Sequence, residues 1–237
     1  MSLYAYCLCQ ELDAAALETV SGLGGATPFA LQYNGIAAVV SKVEGSPVTV
    51  TRENALSHAK VVSHVFAQTT PLPFRFGALL KRAELDGFVE SNRQSLVALL
   101  ARVRGMAEMS VKIIDERKQV DDASHECRKP AEAGAGIGEG AMFLAEKQRE
   151  FEENRISEER AGEIAIWLAE RLDGIVSNTF VRVRPSRGLA VKVAHLVERR
   201  RLDEYRERLR LAREERRTLL FLTSGPWPPY SFCDLTT

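Results

Sequence analysis

Net charge is the first thing this 237-residue chain lacks: Lys plus Arg equals Asp plus Glu at 32 each. A polyanion partner needs a basic field, so neither nucleic acid nor an anionic membrane surface is expected. Cysteine is scarce, and its four residues (Cys7, Cys9, Cys127 and Cys233) are scattered rather than framed. With no charged-then-apolar leader ahead of Tyr4, this argues against a secreted disulfide scaffold and for a reducing, cytoplasmic setting. Long apolar runs are missing too; none approaches the roughly 20 residues a membrane helix requires. There is no Gly-x-Ser-x-Gly, no phosphate loop and no His-Glu-x-x-His, which removes the common signatures of hydrolases, nucleotide enzymes and zinc proteases.

Metal-ligand spacing is thin as well. Cys7 and Cys9 stand side by side on one face of a strand, but no second pair follows, so small buried side chains are the expected reading. His58 and His64, six apart on a helix, face different directions and form no ligand pair. His58 is expected to be a packed or capping histidine. His125 and Cys127 make an isolated His-x-Cys in a glycine-rich stretch, again without a partner pair. No metal site is expected.

What the chain does have is 45% apolar residues, enough for a packed core in one large or two small domains. Leu3 to Cys9 alternates like a half-buried strand. Glu11 to Leu23 reads as a short helix closed by Gly24-Gly25. Thr27–Gln32 and Gly35–Val43 read as a hairpin turned at Tyr33-Asn34-Gly35. A helix from Thr51 to about Gln68 carries Ala55, Ala59, Val62 and Phe66 as its apolar stripe. A second helix has its seam at Leu85, Phe88, Val89, Asn92, Leu96, Leu99, Leu100 and Val103, ending at Gly105.

From Glu108 the order of elements changes. A strand with Met109, Val111 and Ile113 is followed by an aperiodic, charged and glycine-rich insertion over 115–140. Met142 to Val176 is helical, with Ala161, Ala165, Leu168, Leu172 and Ile175 as its stripe and a charged first half. Strands at Phe180–Arg184 and Leu189–Val197 pair through a turn at Pro185–Gly188. A surface helix with Leu202, Tyr205, Leu209 and Ala212 inward leads to a last strand at Thr218–Thr223. The expected fold class is therefore α+β in two domains. Residues 1–106 form a small sheet packed with helices. Residues 107–223 form a modified ferredoxin-like βαββαβ sandwich with a variable loop insertion, and 224–237 form a Pro/aromatic tail.

Between the first two helices lies Thr-Pro-Leu-Pro-Phe-Arg-Phe-Gly, residues 70–77. Pro71 and Pro73 stop the preceding helix and favour an extended chain. Leu72, Phe74 and Phe76 then share one face, Arg75 points to the other, and Gly77 permits a turn. An arginine flanked by two phenylalanines is expected to pack its stem and pair its guanidinium inside the first domain. The chain closes on Ser-Gly-Pro-Trp-Pro-Pro-Tyr-Ser-Phe, residues 224–232. Its rigid aromatic area suits either a contact site or a clamp tucked under the first domain.

These two segments, with the Thr-x-Glu helix and its histidine between 51 and 59, resemble the gas vesicle synthesis proteins of the L/F family. In that family such a helix leads into Leu-Pro-Phe-Arg-Phe-Gly, and the chain ends on Gly-Pro-Trp-Pro-Pro-Tyr-x-Phe. The resemblance runs from Tyr4 to Phe232. It departs at Met142-Phe143-Leu144, where the family often carries a Tyr-Leu pair, and over 123–140. The family-motif residues, as structural or partner-contact groups, are Leu72, Pro73, Phe74, Arg75, Phe76 and Gly77, then Gly225, Pro226, Trp227, Pro228, Pro229, Tyr230 and Phe232. The resemblance implies a non-enzymatic assembly or minor structural protein that binds the hydrophobic shell subunit during vesicle formation. It implies no cofactor, and as partners the shell protein and other gas vesicle accessory proteins, in the cytoplasm and at the vesicle. The alternative is an enzyme binding a small molecule or nucleotide, or an RNA-binding module, on the ferredoxin-like fold. Arg187-Gly188-Leu189-Ala190-Val191 begins like an RNA-binding strand, but aliphatic residues stand where stacking rings are needed.

Overall fold

The computed structural model describes residues 2–43, 48–115, 139–184, 190–233 and 235. The chain divides into two units. Unit 1 is Met1–Met109 with Leu196–Arg199 and Gly225–Thr237; unit 2 is Ser110–His195 with Arg200–Ser224. The expected turn at Pro185–Gly188, most of the 115–140 insertion with His125 and Cys127, and the start of the RNA-like pattern lie outside the described residues.

Unit 1 is built on β1 (Ser2–Cys9), whose residues Leu3 to Cys9 are buried on both faces. Its small side chains, Ala5, Cys7 and Cys9, are what allow the second face to be covered. The strand pairs antiparallel with β3 (Ile36–Val43), from Ser2 opposite Val43 to Cys9 opposite Ala37, with a bulge between Ala5 and Cys7. β3 continues the hairpin with β2 (Phe29–Tyr33). The two-residue loop has Asn34 and Gly35 at φ of 24° and 89°, the left-handed sense that twisted hairpins need. On its other side β1 receives two short strands, β4 (Leu72–Pro73) and β5 (Leu79–Lys81). Pro73 is accommodated because β4 lies at the sheet edge, where no ladder donor is missed.

Helix α1 (Arg52–Gln68) starts where the Thr51 hydroxyl accepts the Asn54 N–H at 3.2 Å. Its buried face is His58, Val61, Val62 and Val65, while Ala55 and Ala59 are exposed. The expected stripe is thus rotated, because the hydrophobic pattern passes over a histidine whose ring packs in the core against Tyr4, Tyr6 and Phe76. Helix α2 (Arg82–Val103) opens with the Glu84 carboxylate accepting the Lys81 N–H at 2.7 Å. It buries Leu85, Val89, Leu96, Leu100 and Val103, and ends before Gly105 at φ 71°. The helix expected at Glu11–Leu23 is instead two tight turns, Ala14–Thr19 and Leu23–Gly25. Glu11 at φ 50° and Gly22, where a Cβ would lie 2.3 Å from the Tyr6 hydroxyl, bend the chain too sharply for an α-helix.

Unit 2 carries the succession β6 (Met106–Asp115), α3 (Glu139–Arg171), β7 (Val176–Arg184), β8 (Ala190–Glu198), α4 (Leu202–Glu215) and β9 (Leu219–Trp227). The antiparallel sheet has the order β7-β8-β6-β9. α3 buries Ala161, Ile164, Trp167 and Leu168, and α4 buries Tyr205, Leu209 and Ala212. The outer face of α4 is laced with pairs three and four apart, Arg206 to Asp203, and Arg210 to both Glu207 and Glu214. β9 runs on to Trp227, past the expected end at Thr223. As an edge strand it tolerates Pro226. Among the described residues no helix is long and apolar enough to cross a membrane.

Candidate functional site

The alternation along β1 sends Tyr4 and Tyr6 into the core beside α1, where both are fully buried. Phenol hydroxyls in such a place need partners. Tyr6 finds the Ser41 hydroxyl at 2.9 Å and accepts the Leu23 N–H at 2.8 Å, which fixes the second tight turn. Tyr4 meets His58 Nδ1 at 3.0 Å and accepts the Gly77 N–H at 3.1 Å. The rings form a box: Tyr4 lies edge-on to Tyr6, His58 and Phe76, and His58 lies edge-on to Phe76.

Burial governs the protonation of this box. It raises the Tyr4 phenol to about 12 and lowers the His58 imidazole to about 4. The Phe74 backbone pulls the histidine slightly the other way, yet His58 Nε2 has no partner in hydrogen-bond geometry. Both groups are therefore neutral at pH 7. Burial holds the Cys9 thiol up at about 12 and, with Cys9 beside it, keeps Cys7 well above its ordinary value, so neither supplies a thiolate for metal or nucleophilic chemistry.

The 72–77 segment wraps the edge of β1. Leu72 and Pro73 pair with Leu8 and Cys7, Phe74 N–H donates to Tyr6 O at 2.9 Å, and Ala5 N–H donates to Ala78 O at 2.9 Å. Leu72, Pro73 and Phe74 are buried and Phe76 is half-buried in the ring box. Arg75 and Gly77 stand outward at the corner between these anchors, Gly77 at φ 96°. The sequence reading placed the Arg75 guanidinium inside the domain. An extended strand would put it there, but the corner turns the side chain to the exposed surface.

The closing segment of unit 1 is held from three sides. Ser231 donates from both N–H and hydroxyl to the buried Glu108 carboxylate, at 2.7 and 2.8 Å. Arg102 donates to Phe232 O at 3.2 Å, and Phe232, Cys233 and Leu235 are buried. Gly225, at φ 122°, passes so close to β6 that a Cβ would meet Glu108 O at 2.7 Å. Pro228 and Pro229 are buried, Pro226 is exposed, and Trp227 retains 47% of its surface. Tyr230 exposes a flank of its ring while its hydroxyl lies inward, raised by burial and by the neighbouring Cys7, Tyr4 and Glu108. The two motif segments, distant in sequence, thus meet at β1: Pro73 pairs with Cys7, and the Tyr230 hydroxyl lies near the same residue.

Further contributors carry no role in the sequence reading. Glu108 is a lone acid between Ala107 and Met109 in an apolar strand, a signal that could have marked it. Arg199 is hidden in an arginine run. It stacks 3.8 Å over the Phe66 ring and donates to Phe66 O at 2.6 Å and Thr69 O at 3.3 Å, closing the end of α1. In unit 2, Trp167 lies under Arg216 with Phe221 at its edge, and His195 Nδ1 meets the Tyr205 hydroxyl at 2.8 Å. A groove of about 780 Å³ beside it is lined by Ile156, Glu163, Arg217 and other mixed charges. Its acids Glu159, Glu214 and Glu215 are paired with Arg155, Arg210 and Arg171. Among the described residues no group of three or more His, Cys, Asp or Glu could hold a metal ion.

The chain is, in class, a two-unit α+β protein with an exposed arginine corner and an anchored Pro/aromatic segment. The family profile described as "Gas vesicle synthesis protein GvpL/GvpF" matches residues 2–234, and the chain belongs to that family. It is 26% identical to gas vesicle protein F of Haloferax mediterranei over 239 residues, spanning 99% of this chain and 94% of that one. It is 25% identical to gas vesicle protein L1 of Halobacterium salinarum over 252 residues, covering 97% and 89%. The fold matches the crystal structure of the gas vesicle protein GvpF from Anabaena sp. PCC7120 with a TM-score of 0.76 at 18% identity, covering 100% of this chain and 97% of that one. Membership supports a role in gas vesicle formation.

Proposed function

We propose that this chain is a non-enzymatic assembly or minor structural protein that binds the hydrophobic shell subunit while the vesicle forms, in the cytoplasm and at the vesicle, alongside other accessory proteins. The observation that carries this reading is the convergence of the two motif segments on β1. Their inner residues, Leu72, Pro73, Phe74, Pro228, Pro229 and Phe232, act as anchors, leaving Arg75, Gly77, Pro226, Trp227 and the flank of Tyr230 as contact groups. Trp, Tyr and Arg on rigid backbone are the residues on which interfaces concentrate their binding energy. A shell subunit awaiting polymerisation has apolar surface and free strand edges to cover. Unit 2 is read as a ferredoxin-like domain: its βαββαβ succession and β7-β8-β6-β9 order, with the first strand central and the second at an edge, support that plan.

The test is capture of purified shell subunit at low and at high salt. Capture should survive high salt, because apolar burial does and ion pairing does not. Trp227→Ala and Arg75→Ala should weaken it. Because both residues stand at the surface, each variant should still fold cooperatively, which a thermal melt checks beside the capture. A folded protein that captures no vesicle component, or capture indifferent to both substitutions, would overturn the proposal.

A further inference from the structure

We infer that the hydroxyl of Tyr4, itself seated by His58, is the positioning group that fixes the Arg75 corner in the form its partner meets. This rests on the reading of that corner as a contact site. The corner is tied at both ends by backbone bonds to β1, Phe74 N–H to Tyr6 O and Ala78 O from Ala5 N–H. Between those ties, Arg75, Phe76 and Gly77 leave the ladder. Within this stretch Ala78 N–H closes back on Arg75 O at 3.3 Å, and Gly77 N–H donates to the Tyr4 hydroxyl at 3.1 Å. The second joins the corner to the core.

A phenol rotates about its C–O bond, so its oxygen is a fixed acceptor only when its own proton is committed elsewhere. With the imidazole neutral and its proton on Nε2, the tautomer that the neighbouring Phe74 backbone favours, His58 Nδ1 accepts the phenol proton at 3.0 Å and the oxygen's lone pair is directed to Gly77. The other neighbours of the His58 ring are Tyr6 from β1, Phe76 from the corner itself and the Phe74 backbone. None of these offers a charge that would draw the imidazole away. Phe76 packs edge-on against both Tyr4 and His58, so the same pair also grips the side chain next to Arg75. Gly77 at φ 96° completes the arrangement, since a side chain there would strain the turn.

Tyr4→Phe keeps the ring and deletes only the oxygen. Amide hydrogen exchange of the full chain should then show the Gly77 N–H exchanging on the order of three- to ten-fold faster, the loss of one hydrogen bond, while the Phe74 and Ala5 amides keep their protection. His58→Leu should reproduce this change. His58→Asn, whose amide reaches the place of Nδ1, should restore slow exchange at Gly77. A general loosening of unit 1 would instead accelerate all three amides together. Binding of the shell subunit should weaken in Tyr4→Phe and His58→Leu and recover in His58→Asn. Unchanged Gly77 exchange in both Tyr4→Phe and His58→Leu would overturn the inference, as would uniform acceleration at Phe74, Ala5 and Gly77. Altered Gly77 exchange in a chain whose parent captures no shell subunit leaves the positioning intact and fails the partner assignment instead.

Discussion

Acidifying the protein from about pH 7.5 to about pH 5 should lower the stability of each unit through one buried histidine. His58 in unit 1 and His195 in unit 2 are held down from 6.5 to about 4 by burial. A depressed folded value means the unfolded chain binds the extra proton, so the stability is whole above pH 6.5 and drains away as the pH falls towards 4. At pH 5 the unfolded imidazole is almost fully charged and the folded one almost fully neutral, a difference of roughly 2 kcal/mol per site. Most carboxylates remain ionised down to that pH, which keeps the window clean. Urea unfolding at a series of pH values reads the slope, and the imidazole carbon-bound protons in NMR assign it. His195→Gln should flatten the slope of unit 2 and leave that of unit 1, with His58→Asn doing the converse. If either ring titrates near 6.5 in the folded protein, or if stability is level between those pH values, the account of the two buried rings is wrong.

Both Ser231 donors end on the Glu108 carboxylate, so Glu108→Ala should cost about 2 to 3 kcal/mol in a thermal or urea melt of unit 1, and Glu108→Gln less. Arg199→Lys keeps the charge but loses the planar fork that reaches two carbonyls and stacks on Phe66. It should destabilise unit 1 by about 1 to 2 kcal/mol, and a melt indistinguishable from the parent would refute the role given to the guanidinium.

The elements legible from sequence are those whose signal is local. Asn34-Gly35 dictates its turn by backbone sterics alone, Thr51 caps the helix that follows it, and the seam of α2 is apolar at nearly every inward position. The failures have one cause, that neighbours distant in sequence decide them. Glu11 to Leu23 has helical composition, but the Tyr6 hydroxyl pins the Leu23 N–H and leaves no room at Gly22. The inward stripe of α1 differs from the expected one because His58, polar by type, packs in the core as a neutral ring among Tyr4, Tyr6 and Phe76. The sequence ends the last strand at Thr223 and sets 224–237 apart as a Pro/aromatic tail. Pro226 instead sits in an edge strand, where a missing N–H costs nothing. Arg75 shows the limit most plainly: alternation assigns it a side, but a corner assigns it a surface.

The make-up of unit 1 bears on how the molecule comes into being. Glu108, the carbonyls of Phe66 and Thr69, and Arg102 all await partners from Leu196–Arg199 and Gly225–Thr237. A ribosome making about 5 to 20 residues per second needs on the order of ten seconds to travel from residue 109 to residue 232. Throughout that interval the nascent first unit carries an acid without its donors and a helix end without its arginine. Closure of the first unit waits for Ser231, and a chain cut short before that residue leaves the unit open.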